Sequence, residues 1–172
     1  MDLLAIGFQY VSALMVDALK IFQSPSPNFG NRRDYVTPKM VVLHYTAMKS
    51  SDDAIARMSD PKSEVSAHYL IDKFGKIIQL VDEQKRAWHA GESSYKGVTD
   101  CNNYSIGIEL EGTDDDLYTD DQYDTLIEAT KGVIKNYPLI NKDSIVGHSD
   151  VSPGRKTDPG SRLDWGRFLE AL

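Results

Sequence analysis

At 172 residues the chain is the size of one domain, long enough to bury a core without covalent staples. A formal charge of −7 argues against a nucleic acid or an anionic membrane held by long-range attraction, so a ligand must be recognised locally. Cys101 is the only cysteine, which excludes an intrachain disulfide and a Cys-rich zinc site and leaves His, Asp and Glu as the ligands for any metal.

Residues 1–23 carry Leu4, Phe8, Val11, Met15, Leu19 and Phe22 at helical spacing, with Asp2, Gln9 and Lys20 opposite, and predict an amphipathic helix that packs on the body. Asp2 stands where a signal peptide carries positive charge and Asp17 interrupts the apolar run, so no cleaved leader is expected. The polar face carries Lys20 alone and not the run of Lys and Arg expected of a membrane-surface helix. A cytoplasmic protein is expected, with the periplasm or cell envelope as the alternative. Pro25, Pro27 and Gly30 mark residues 24–38 as an extended connector outside the core. Residues 39–172 remain as the functional domain.

Within that domain KMVVLHY, 39–45, is short, apolar and Val-rich, and predicts a buried strand ending at His44. A short helix follows over Asp52–Met58, started by Ser50, Ser51 or Asp52. Ser66–Leu70 and Lys76–Val81 read as a hairpin around Asp72–Gly75. YSIGIELE, 104–111, is a further strand. Thr119–Asn136 is a helix capped at Thr119 and Asp120, with Tyr123, Leu126, Ile127, Thr130 and Val133 on one side. Ile145 and Val146 form a last strand running into His148, and Leu163–Leu172 a closing helix. Strands mixed with helices at this size predict a single α/β domain with a central mixed sheet flanked by helices.

Four histidines, His44, His68, His89 and His148, are available for chemistry. His44 and His148 each sit at the predicted end of a strand, where open α/β sheets place their sites, and Asp158 follows His148 on a loop framed by Pro and Gly. Two imidazoles and a carboxylate suffice for a catalytic zinc with water in the fourth position. Hydrolysis then needs a general base and a group for the oxyanion, for which Glu109 and Lys156 are candidates. Alternation along the strand sends Ile106, Ile108 and Leu110 to the core and Glu109 and Glu111 together to the other face. A purely structural metal would need a fourth protein ligand, for which Asp150 is available. Arg155 reads as a structural or surface charge.

HYTA at 44–47, SAHYLI at 66–71, RAWHAG at 86–91, NNYSIGIELEGTD at 102–114, GHSDVSPGRKTDPG at 147–160 and LDWGRF at 163–168 occur in this order. Together they resemble the zinc-dependent N-acetylmuramoyl-L-alanine amidases of the cell-wall recycling type, over about Ser26 to Leu169. The resemblance implies a zinc held by His44, His148 and Asp158, a catalytic Glu109, an assisting Lys156, and a groove lined by Trp88, His89 and Asn102. It implies peptidoglycan fragments or muropeptides as substrate, cut between the lactyl group of N-acetylmuramic acid and L-alanine. Glu64 and Asp100 depart from the recycling branch, which carries arginines near these positions for the peptide's carboxylates. A recognition module that keeps the groove without turnover is the competing reading; the full set of His44, His148, Asp158 and Glu109 favours the enzyme.

Overall fold

The computed structural model describes residues 19–172. The greater part of the expected N-terminal helix therefore lies outside the described residues. Its last turn is corrected: Ile21–Gln23 is a strand, β1, which pairs in parallel with a later strand. Phe22 satisfies a helical spacing, but three residues are too few for periodicity to separate helix from strand, and pairing along a sheet edge decides the outcome.

The elements that follow are β2 (Phe29–Asn31), β3 (Met40–Tyr45), α1 (Ser51–Ser59), β4 (Tyr69–Ile71), β5 (Ile77–Gln79), β6 (Lys85–Ala87), β7 (Ser94–Tyr95), β8 (Val98–Thr99), β9 (Ser105–Leu110), α2 (Asp120–Asn136), β10 (Ile145–Gly147), α3 (His148–Val151) and α4 (Trp165–Glu170). Six strands form the central sheet in the order β1-β5-β4-β9-β3-β10, with β4 and β5 antiparallel and the other pairs parallel. The expected mixed sheet is present, and each predicted element from residue 39 onward falls within a few residues of its place.

Local chemistry accounts for the helix boundaries. Ser50 accepts from the Asp53 backbone N–H and starts α1, with Asp52 and Asp53 in the first turn where the helix dipole favours negative charge. Thr119 and Gln122 form a reciprocal capping box at the start of α2.

Alternate residues of the same strands build two different layers. Val41, Leu43, Ile106, Ile108, Leu110, Tyr69 and Ile71 face α2 and α4 and form the main core with Leu126, Val133 and Phe168. The opposite face holds two small cores. Leu70 and Ile78 pack with Ala54 and Met58 of α1, while Met40, Val42 and Val146 pack with Ala90, Cys101 and Val151. Between them stand His44, Gly107 and Glu109.

Residues 24–38 are corrected from a connector outside the core to a part of it. β2 pairs with β6, Ser26 and Asn28 are buried, and Arg32 is 8% exposed. The Arg32 guanidinium donates to the carbonyls of Glu83, Asn102, Asn103 and Ser105 at 2.9–3.2 Å. Burial, opposed by Tyr137 and Glu83, lowers it to about 10 and leaves it charged at neutral pH.

Candidate active site

Adjacent parallel strands β9, β3 and β10 deliver Glu109, His44 and His148 to one end of the sheet. His44 and Glu109 are register partners, so their side chains leave neighbouring strands on the same face. His148 follows β10 directly as the first residue of α3. The loop after α3 brings Asp158 back: the Asp158 carbonyl accepts from the Ser149 N–H at 2.9 Å, and Pro159 packs so closely on Gly147 that a Cβ there would lie 2.6 Å from the ring. Only glycine at 147 permits this approach.

The three expected ligands meet. His44 Nδ1, His148 Nδ1 and Asp158 Oδ2 lie 2.9–3.0 Å from one another, and all three residues are buried. The remaining nitrogens fix the tautomers. His148 Nε2 lies 3.1 Å from the Ala90 carbonyl, so it carries the proton and donates it. His44 Nε2 lies 3.0 Å from His89 Nδ1. His89 Nε2 faces Ser105 Oγ at 3.0 Å, and that hydroxyl spends its single proton on the Cys101 carbonyl at 2.6 Å. His89 therefore donates to Ser105 through Nε2 and accepts from His44 through Nδ1, which leaves His44 Nδ1 bare. Burial first, opposed by Asp158 and reinforced by His148, lowers His44 to about 4 and keeps it neutral.

Two bare imidazole nitrogens and a carboxylate oxygen thus converge with no proton to share. Three lone pairs this close repel one another unless a cation lies among them, and ligands at ~2.0–2.1 Å from a tetrahedral zinc would be separated by ~3.3 Å, within a few tenths of an ångström of the spacing seen. The donor set fits a zinc ion. Asp150 does not join it as a fourth ligand, because its Oδ2 accepts from the Gly147 N–H at 2.8 Å.

Glu109 and Lys156 both line the cleft above this triangle, which has a volume of about 370 Å³. Glu109 Oε2 is buried without a hydrogen-bond partner. Burial, then the Asp158 charge, push Glu109 well above its ordinary value, and Lys156 opposes them. Glu111 departs from the expected pairing. The strand ends at Leu110, and the Glu111 carboxylate accepts from the Lys73 N–H at 3.1 Å, away from the cleft.

Trp88 and His89 line the cleft as expected. Asn102 does not: it is 3% exposed, and its Oδ1 accepts from the backbone N–H groups of His89 and Ala90 at 3.0 and 2.8 Å. Its side chain supports the loop that carries the groove residues. His68 is also structural. Its Nδ1 accepts from the Gly107 N–H at 2.9 Å and its Nε2 donates to the Lys85 carbonyl at 3.1 Å. Burial, then Arg32, lower it to about 3.

Arg155 reaches the Ala90 and Glu92 carbonyls at 2.7 Å and braces the loop behind His148. Arg57, on the last turn of α1, lines the cleft and was not singled out by its sequence context, which resembles that of any exposed helical charge. Neither Glu64 nor Asp100 is a cleft residue. Asp100 is held by ion pairs with Arg33 and Arg86. The cations of the cleft are Arg57, Arg155 and Lys156, a local basic lining on an acidic protein.

An open sheet with a His-His-Asp triangle that could hold a metal ion, and a buried carboxylate in the same cleft, is an arrangement suited to hydrolysis. Comparison with known proteins makes the assignment specific. Residues 34–161 match the N-acetylmuramoyl-L-alanine amidase family. The chain is 41% identical over 167 residues to the 1,6-anhydro-N-acetylmuramyl-L-alanine amidase AmpD of Haemophilus influenzae, covering 87% of this chain and 91% of that protein. It superposes on a crystal structure of a Se-Met AmpD derivative with a TM-score of 0.82 and 40% identity, covering 88% of this chain and 94% of that one. The amidase AmiD of E. coli, in complex with the substrate anhydro-N-acetylmuramic acid-L-Ala-D-gamma-Glu-L-Lys, gives a TM-score of 0.72 at 35% identity, over 78% of this chain and 57% of that one. The chain belongs to the N-acetylmuramoyl-L-alanine amidase family.

Proposed function

We propose that this chain hydrolyses the amide between the lactyl group of N-acetylmuramic acid and L-alanine in peptidoglycan fragments, with zinc held by His44, His148 and Asp158. The observation that carries the reading is the convergence of two imidazole nitrogens and a carboxylate oxygen beside a carboxylate with a partnerless oxygen, inside one cleft. A zinc ion bound there would polarise the scissile carbonyl and make a water acidic enough to attack near neutral pH.

Glu109 takes the proton of the attacking water. Burial raises this carboxyl, and a divalent cation held by His44, His148 and Asp158 would favour its ionised form and so its action as a base. As the C–N bond breaks, Glu109 returns that proton to the departing amine of L-alanine. Lys156 presents its ammonium to the carbonyl oxygen as negative charge grows there. Trp88 supplies an apolar wall to the groove, and His89 acts from behind the ligand His44.

Mass spectrometry of products from defined muropeptides and from whole sacculi, with and without a chelator, tests the reading. Release of the peptide with a free L-alanine amino group, abolished by the chelator and restored by zinc, is the expected result. The anhydro-muropeptide is the first substrate to try, because the relatives are named for it or bound to it. Asp158→Ala should lose zinc and activity together, whereas Lys156→Ala should keep zinc and lose rate. Full activity from protein shown to be free of metal would remove the mechanism.

A further inference from the structure

Four imidazoles form a row through the site face of the sheet. Ring centroids step by 4.5 Å from His148 to His44, 5.1 Å from His44 to His89 and 5.7 Å from His89 to His68. The two ends of this row are fixed by backbone groups. His148 donates to the Ala90 carbonyl, and His68 is held between the Gly107 N–H and the Lys85 carbonyl. The middle link, His44 to His89, has no backbone group and depends on side chains alone.

We propose that His89 is a positioning residue rather than a substrate contact: with Ser105 it sets the proton position on His44 and thereby the zinc affinity of the site. The inference rests on the reading of His44, His148 and Asp158 as zinc ligands. It follows from counting protons. The Ser105 hydroxyl has one proton and gives it to the Cys101 carbonyl, so toward His89 it can only accept. A neutral His89 that donates through Nε2 has a bare Nδ1, and His44 must meet it with Nε2–H. His44 Nδ1 is then committed to the metal side before any metal arrives. A ligand imidazole whose second nitrogen is held in this way pays no tautomer change on binding, and its basicity rises.

The packing around His89 is built to hold this orientation. Its backbone N–H is tied to Asn102 Oδ1. Its ring lies hard against Gly107, where an added Cβ would fall 2.4–2.7 Å from three ring atoms. The same glycine stands between Ser105 and Glu109 on β9, so the strand that brings the base also brings the hydroxyl that orients the ligand.

Two kinds of measurement test the proposal. The first is the tautomer of His44 in metal-free protein, read from imidazole 15N shifts and long-range couplings, which needs no zinc. Wild type should show His44 with its proton on Nε2, and Ser105→Ala, which removes one hydroxyl and little packing, should show a mixture. The second is zinc affinity by competition with a chelator. His89→Phe keeps a ring on Gly107 but deletes both nitrogens and should weaken zinc on the order of 10–100-fold, as loss of an outer hydrogen bond to a metal ligand does. His89→Gln, which restores an acceptor, should recover a large part of it, and Ser105→Ala should weaken zinc several-fold. A proton on Nδ1 of His44 in the metal-free wild type overturns the proposal, as does a folded His89→Phe protein that binds zinc within twofold of wild type. Should His89→Phe fail to fold, the Ser105→Ala tautomer and affinity decide. If the wild type itself takes up no zinc, the assignment of the metal site has failed, an outcome distinct from a failure of the relay.

Discussion

The two faces of the central sheet are made from alternate residues of the same strands, yet they are different materials. On the side of α2 and α4, β9 presents Ile106, Ile108 and Leu110 to a continuous apolar core. One residue along, the other side presents Ser105, Gly107 and Glu109 to histidines, a carboxylate and a cleft. The first face buries groups that gain by leaving water. The second buries groups that lose by it and recovers only part of that loss through hydrogen bonds, a pattern that belongs to a face kept for chemistry rather than stability. Neighbouring residues on one strand should therefore fail in different ways.

Glu109→Gln provides the largest separation. The amide keeps the shape but cannot accept a proton, so turnover of muropeptide should fall about 10²–10⁴-fold while zinc content and melting temperature stay close to wild type. Glu111→Gln is its control, and it should cost little turnover because that carboxylate caps the Lys73 N–H outside the cleft. If Glu111→Gln is the inactive variant, the base has been misassigned.

Ile108→Ala, next door and facing the other way, should show the reverse. Removal of a fully buried side chain from the helix-facing core should cost roughly 2–5 kcal/mol in denaturant unfolding, while the folded fraction keeps its rate per bound zinc. A rate loss as large as that of Glu109→Gln in well-folded protein would show that the faces are not independent.

Acid sharpens the contrast further. Because His68 is lowered to about 3 in the folded protein from an ordinary value of 6.5, the unfolded chain takes up a proton there before the native one does. Its contribution is complete above pH 6.5 and is lost as pH falls toward 3. Protonation would place a second N–H against the Gly107 N–H that His68 Nδ1 now accepts. Urea midpoints of metal-free protein should drop between pH 6.5 and 4, and His68→Gln should flatten that drop; equal slopes for the two proteins would assign the acid sensitivity elsewhere.

The smallest effect belongs to the outer layer of the apolar face. Thr119→Ala removes the side-chain half of the α2 capping box and should cost about 1 kcal/mol of stability with no change in zinc affinity or turnover. A change in turnover would couple the helix face to the site.

The comparison also explains what could be read from the sequence. β3 and β10 are legible because apolar runs lead into the residues that matter, His44 and His148, and β9 because alternation sets Glu109 opposite Ile106, Ile108 and Leu110. The capping signal at Thr119 is local and equally legible. The features that escaped depend on partners far along the chain. β1 pairs with β5 at residues 77–79, and three residues carry no period of their own. Arg32 reads as one of two connector arginines, and its burial is set by carbonyls more than fifty residues away. The strand alternation places Glu109 well but fails for Glu111, because the strand ends one residue earlier. Asn102 sits in a groove motif, but which way an amide turns is a tertiary fact.

Arg32 carries a consequence for where this molecule can be divided. Its guanidinium has five N–H groups, and each finds a carbonyl on a segment that flanks the cleft: Glu83 ahead of β6, Asn102 and Asn103 on the loop before β9, and Ser105 at the start of that strand. Asn102 in turn holds the backbone of His89. A cut at residue 39 would look clean by composition, since it falls in a Pro-containing stretch before the first long strand. Mechanically it would remove the cation around which three segments are folded and leave their carbonyls buried without donors. The smallest piece of this chain that keeps its site in shape begins upstream of Arg32, and the stretch that looks most like a linker is the clasp.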